Sequence, residues 1–81
     1  MDRPAIHTKL QDIFRNQFDD ASIAIVDETV ARDVKGWNSI THIDLICTVE
    51  DEFQIKLSTR EVAQLANVGA LMDLIQKKTT R

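Results

Sequence analysis

"GWNSITHIDLICTVEDEF", Gly36–Phe53, begins with the chain's only Trp and a serine, ends in an acidic triplet, and carries no Lys or Arg. With successive residues at roughly 100° around an axis starting from Ile40, Leu45, Ile46, Val49 and Phe53 fall within one broad arc. Ile40, Ile43 and Cys47 fall in a second arc on nearly the opposite side. Glu50 borders this second arc on one flank, and Asp44 and Asp51 border it on the other. The spacing predicts a helix from Ser39 to about Phe53 whose first arc faces a core. The second arc is more apolar surface than one side of a bundle needs. Two readings of it stand: a docking strip with an acidic rim that steers a basic partner, or a strip buried under the preceding loop.

Working outward, Pro4 suits a first helical turn, where its missing N–H costs nothing. Ile6, Leu10, Ile13, Phe14 and Phe18 then recur at helical spacing, and Asp19 and Asp20 mark the end. Between this helix and Trp37 the period is lost. "ASIAIVDETVARDVKGW" reads as a long loop with room for a short helical turn, pinned across the core by Ile25, Val26, Val30 and Val34. A loop this long in a small domain is unusual and often functional. Beyond Phe53, "QIKL" is a connector. Ser58 followed by Glu61 fits a capping box for a short helix. Asn67 reads as the cap of a last helix, about Val68 to Lys78, that buries Leu71, Leu74 and Ile75. Lys77 and Lys78 lie at its C-terminal end, where the helix dipole favours cations. The sum is three main helices and one short one. Helices this short bury their apolar faces against one another, so an all-α, small four-helix bundle follows.

The chain has 81 residues, which allows one domain over 1–81 and one modest core. It is 43% hydrophobic and 28% charged, the balance of a folded domain and not of a disordered tail. With a net charge of −3, no basic stripe and few aromatics, it is a poor candidate for nucleic-acid binding; a basic protein partner suits it better. One cysteine cannot form an internal disulfide, which fits a reducing cytoplasm. No apolar run is long enough to insert across a bilayer, the N-terminal stretch lacks a signal-peptide pattern, and no spacing suggests metal ligands.

Ser39 admits three readings. Serine is a preferred N-cap, and Ser39 stands where the helix begins. Ser39 and His42 are three apart on a helix and therefore neighbours, which suggests a nucleophile and its base. Against that stand the lack of a glycine-rich nucleophile elbow, of an evident third member, and of room for a substrate pocket. His42 is better read as a packed or loop-bonded histidine, and His7 as exposed. Third, Ser39 is a modification site. A phosphodiester there would lie at a helix N-terminus, where the dipole and free N–H groups favour negative charge.

Along "NSITHIDLICTVEDEF" the sequence resembles an acyl carrier protein. The family pattern is an Asp-Ser-Leu start, an apolar residue four beyond the serine, an acid next, two apolar residues, and a Glu-Glu-Glu-Phe-like end. Ser39, Ile40, Ile43, Asp44, Leu45, Ile46, Val49, Glu50, Asp51, Glu52 and Phe53 match it without a gap, and a looser likeness runs over the whole chain. The resemblance implies a carrier and not a catalyst. It implies covalent 4'-phosphopantetheine on Ser39, holding acyl groups as thioesters for fatty-acid, polyketide, amino-acid or lipid-modifying pathways. It also implies a surface of Ile40, Ile43, Asp44, Cys47, Glu50 and Asp51 that is read by a phosphopantetheinyl transferase and by acyl-transferring enzymes with basic patches. Leu45, Ile46, Val49 and Phe53 would line a core able to shelter an acyl chain. A partner-docking carrier of this kind is most simply a monomer. Asn38 departs from the pattern, because the family usually has an Asp there that helps the transferase and its metal ion. An amide brings no charge. It points to a dedicated transferase, or to an unmodified adaptor that binds basic partners through the same acidic helix.

Overall fold

The computed structural model describes residues 2–79. It places α1 at Arg3–Gln17, a 3-10 turn at Ala31–Asp33, α2 at Ser39–Phe53, α3 at Thr59–Ala63 and α4 at Val68–Thr79, with no strand among the described residues. The all-helical expectation holds, including the bounds of α2, and the Asp20–Gly36 stretch is a loop containing the short turn.

Each helix end has a local cause. Asp2 caps α1 by accepting the Ala5 N–H at 3.0 Å. Asp19, with φ of 49°, turns the chain left-handed, and the Asp20 N–H returns to the Arg15 carbonyl at 3.0 Å. Helix α2 closes the same way: Gln54 has φ of 56° and the Ile55 N–H reaches the Glu50 carbonyl at 3.1 Å. Both ends thus have the six-to-one bond of a Schellman stop. Ser58 and Glu61 form the capping box of α3, each side chain accepting the other's backbone N–H. The capping N–H and Lys78, 3.1 Å away, hold the Glu61 carboxyl below its ordinary range.

The core joins Ile6, Leu10, Ile13 and Phe14 of α1, Leu45, Ile46, Val49 and Phe53 of α2, Val68, Leu71, Met72 and Ile75 of α4, and Ile25 and Val34 of the loop. Leu74 is only half-buried. Val68, Leu71, Met72 and Ile75 follow the i, i+3, i+4, i+7 pattern, and Leu74 lies at the border of that face. The loop differs from expectation too. Ile25 is buried, but Val26 is 55% exposed and Val30 is half-buried. Successive residues of an extended chain point to opposite sides, and the Val26–Thr29 turn holds Ile25 inward and Val26 outward.

His7 is half-buried and bonded, where the sequence suggested an exposed residue. Its Nε2 lies 2.7 Å from the Ile25 carbonyl. Gln11 accepts the Ile25 N–H at 3.0 Å, and Arg15 Nε donates to the Ile23 carbonyl at 2.7 Å. His7, Gln11 and Arg15 are four apart on α1 and form one polar stripe that holds the loop backbone. Midway along its length the loop clasps the start of α4. The Val68 N–H donates to the Thr29 carbonyl at 2.8 Å and the Gly69 N–H to the Asp27 carbonyl at 2.9 Å. A Cβ on Gly69 would lie 3.0 Å from Asp27 Cβ and from its carbonyl oxygen, so a side chain here would press the loop outward by a few tenths of an ångström. Asn67 caps α4 as the sequence suggested, its Oδ1 accepting the Ala70 N–H at 2.8 Å.

Candidate functional site

The start of α2 is built by three residues around a turn. Gly36, with φ of +91°, reverses the chain. Asn38 Oδ1 then accepts the N–H groups of Ile40 at 2.9 Å and Thr41 at 3.1 Å. Thr41 Oγ1 accepts the Asn38 N–H at 2.8 Å and donates to the Gly36 carbonyl at 2.7 Å. The cap is therefore Asn38, with Thr41 as its reciprocal partner, and Ser39 is the first residue inside the helix. This corrects the reading of Ser39 as a cap. Asn ranks with the best capping residues, so the signal was present in "NSIT". It also qualifies the expectation of free N–H groups, because Asn38 has taken two of them.

Ser39 is exposed, and its hydroxyl makes no hydrogen bond with any described residue. No hydrogen bond joins it to His42. Instead the Trp37 Nε1–H donates to His42 Nδ1 at 3.0 Å, and the two rings stack at 23° with centroids 5.9 Å apart. An indole N–H only donates, so Nδ1 must accept and the neutral imidazole carries its proton on Nε2. Burial pushes the His42 pKa down. The ring is packed and loop-bonded, as expected, and is not poised as a base toward Ser39. Trp37 is itself anchored edge-on against Phe14, with centroids 5.1 Å apart, and lies beside Phe18.

An open cleft of about 230 Å³ adjoins Ser39. The loop supplies Val30, Ala31 and Trp37, α2 supplies Ser39 and His42, and the α3–α4 side supplies Leu65 and Leu71. Leu45, Ile46, Val49 and Phe53 are buried and do not line it. The sequence reading missed Val30, Leu65 and Leu71 as part of this site. They come from three separate segments, and no local spacing marks them.

The strip leading away from Ser39 is open. Ile40 is 76% exposed and Ile43 65%, and Cys47, Asp44 and Asp51 are exposed as well. The loop does not cover them. Glu50 is different: it is half-buried and its Oε2 accepts the Leu57 N–H at 2.9 Å, tying down the connector after α2. Cys47 lies eight residues beyond Ser39, about 12 Å along the helix.

The family described as the phosphopantetheine attachment site matches residues 8–75. The chain belongs to that family, the acyl carrier proteins. Covalently attached phosphopantetheine is the family's cofactor. Among solved structures, this carrier is similar to the solution NMR structure of a holo acyl carrier protein from Geobacter metallireducens. The two share 43% sequence identity with a TM-score of 0.84, over 89% of this chain and 83% of that one. The search of curated proteins gives no match. In this carrier no helix among the described residues is long and apolar enough to cross a membrane, and no group of three or more His, Cys, Asp or Glu among them could hold a metal ion.

Proposed function

We propose that Ser39 carries the 4'-phosphopantetheine, and that the protein is a carrier and not a catalyst, passing acyl groups among enzymes of fatty-acid, polyketide or related biosynthesis. The observation that carries this reading is the division of labour at the start of α2. Asn38 does the capping, and the adjacent serine hydroxyl is left exposed and unbonded. These residues fit the group: the attachment atom is open to a modifying enzyme, and a cleft lies beside it. When bound, the arm supplies a terminal thiol that holds acyl groups as thioesters. A serine ester would be a poorer acyl donor.

The partner surface in this reading is Ile40, Ile43 and Cys47, flanked by Asp44 and Asp51, with Glu50 at its edge. Exposed isoleucines supply contact area, and the carboxylates orient Lys and Arg of the transferase and of the acyl-transferring enzymes. We read the chain as one domain over 1–81 acting as a monomer in the cytoplasm.

Intact mass after incubation with coenzyme A, magnesium and a broad-specificity phosphopantetheinyl transferase tests the proposal. Wild type should gain one phosphopantetheine and Ser39→Ala none. If neither wild type nor Asn38→Asp gains mass, the carrier proposal fails and an adaptor role for the same face takes its place.

A further inference from the structure

His42 is held from one side only. Trp37 donates to its Nδ1 and stacks on its ring, and Phe14 and Phe18 fix Trp37 in turn. The tautomer this imposes carries a proton on Nε2, and no described residue accepts it. A half-buried ring with a fixed orientation and an unused donor is a prepared hydrogen-bonding group.

Its neighbourhood indicates what it would meet. Ser39 and His42 are three apart on α2, hence on neighbouring positions of one face, and both line the cleft. A phosphodiester on Ser39 places anionic oxygens there. The usual donors for an anion at a helix start are the first backbone N–H groups. Here the Ile40 and Thr41 N–H groups already bond Asn38 Oδ1, and the His42 N–H bonds the Asn38 carbonyl at 2.8 Å. Of the first N–H groups only that of Ser39 has no acceptor among the described residues, which leaves the anion room for a second donor, and the His42 Nε2–H is the side-chain donor one turn away.

We propose that His42 is a positioning residue for the arm: its Nε2–H donates to the phosphodiester on Ser39, and Trp37 orients the ring for that bond. The proposal rests on the reading that Ser39 carries the arm. The bond holds the root of the arm at the mouth of the cleft, so that the remainder swings from a fixed point.

The test is NMR on holo protein with 15N-labelled histidine, with intact mass confirming the arm. Attachment should move the His42 Nε2 resonance relative to apo protein. A phosphodiester does not titrate near neutrality, and among the described residues His42 is the only titratable side chain lining the cleft. The 31P resonance should therefore show one step as pH falls through the His42 titration, and that step should vanish in His42→Gln. Trp37→Phe keeps an aromatic ring against Phe14 but removes the indole donor, and should reduce the Nε2 response to attachment. Holo wild type with an apo-like Nε2 resonance and a flat 31P profile overturns the proposal alone. A wild-type mass lacking the arm overturns the carrier reading and the proposal with it.

Discussion

At the scale of single residues, Asn38 and Ser39 divide two tasks. The cap needs an acceptor oxygen, which Asn38 supplies, and the serine stays available. Asn38→Ala should cost about 1 kcal/mol of stability, read by urea denaturation, since the Ile40 and Thr41 N–H groups lose their acceptor. Asn38→Asp should leave stability nearly unchanged, because the two are equivalent caps, and should speed modification by a broad-specificity transferase by restoring a carboxylate beside Ser39. An unchanged rate would mean that the amide is not what limits modification. His42 makes a pH prediction. Its folded pKa is pushed below the ordinary value of about 6.5 by burial. Between the two values the unfolded chain binds more protons, so stability falls as pH drops from about 6.5 through the folded pKa. Protonation also places a hydrogen on Nδ1, which then cannot accept from Trp37. Thermal melts from pH 7 to pH 5 should show a loss in wild type that is smaller in His42→Phe, which keeps the stacking without the titration.

At the scale of elements, the apolar period of α2 and its core face were legible because burial imposes a strict spacing on a helix. Leu45, Ile46, Val49 and Phe53 are the residues that period selects, and all are buried. Phe53→Ala should destabilise the protein by about 3–5 kcal/mol, measured by chemical denaturation; a loss near zero would contradict its place in the core. Much of the loop was not legible. Its position depends on polar partners from α1 and on carbonyls that meet the first N–H groups of α4, contacts that leave no period within the loop itself. The four-residue spacing of His7, Gln11 and Arg15 was the available signal, and it lay in α1. Gly69 marks the other clasp. Gly69→Ala would gain helix propensity but press a methyl group against the Asp27 backbone, so a net destabilisation of about 1–3 kcal/mol is expected. A stabilised Gly69→Ala would show that the loop can retreat freely.

At the scale of the whole molecule, one core fixes the loop, α1, α2 and α4, while one strip of α2 stays out of it. Whether Ile40, Ile43 and Cys47 would be covered could not be read from periodicity, because covering them depended on where a non-periodic loop would run. The loop runs instead along α1 to α4, and the strip is free. Glu50 shows the limit of reading a rim from sequence: its carboxylate serves the Leu57 N–H, so its loss would perturb the fold as well as the surface. Asp44 and Asp51 carry no such duty through their carboxylates. Reversing both to Lys should leave the far-ultraviolet spectrum unchanged, slow association with the transferase, and weaken its salt dependence. Equal association rates for the variant and wild type would remove the acidic rim from the account.

Everything proposed for this carrier depends on Ser39 bearing an arm on which acyl groups travel. The most direct measurement is the intact mass of the protein isolated from its own cells, before and after hydroxylamine, with the modified residue located by peptide fragmentation. One phosphopantetheine on Ser39 is expected and, on part of the population, a further mass that hydroxylamine removes and that identifies the acyl group. A polypeptide of unmodified mass throughout, or an arm on any other residue, would contradict it.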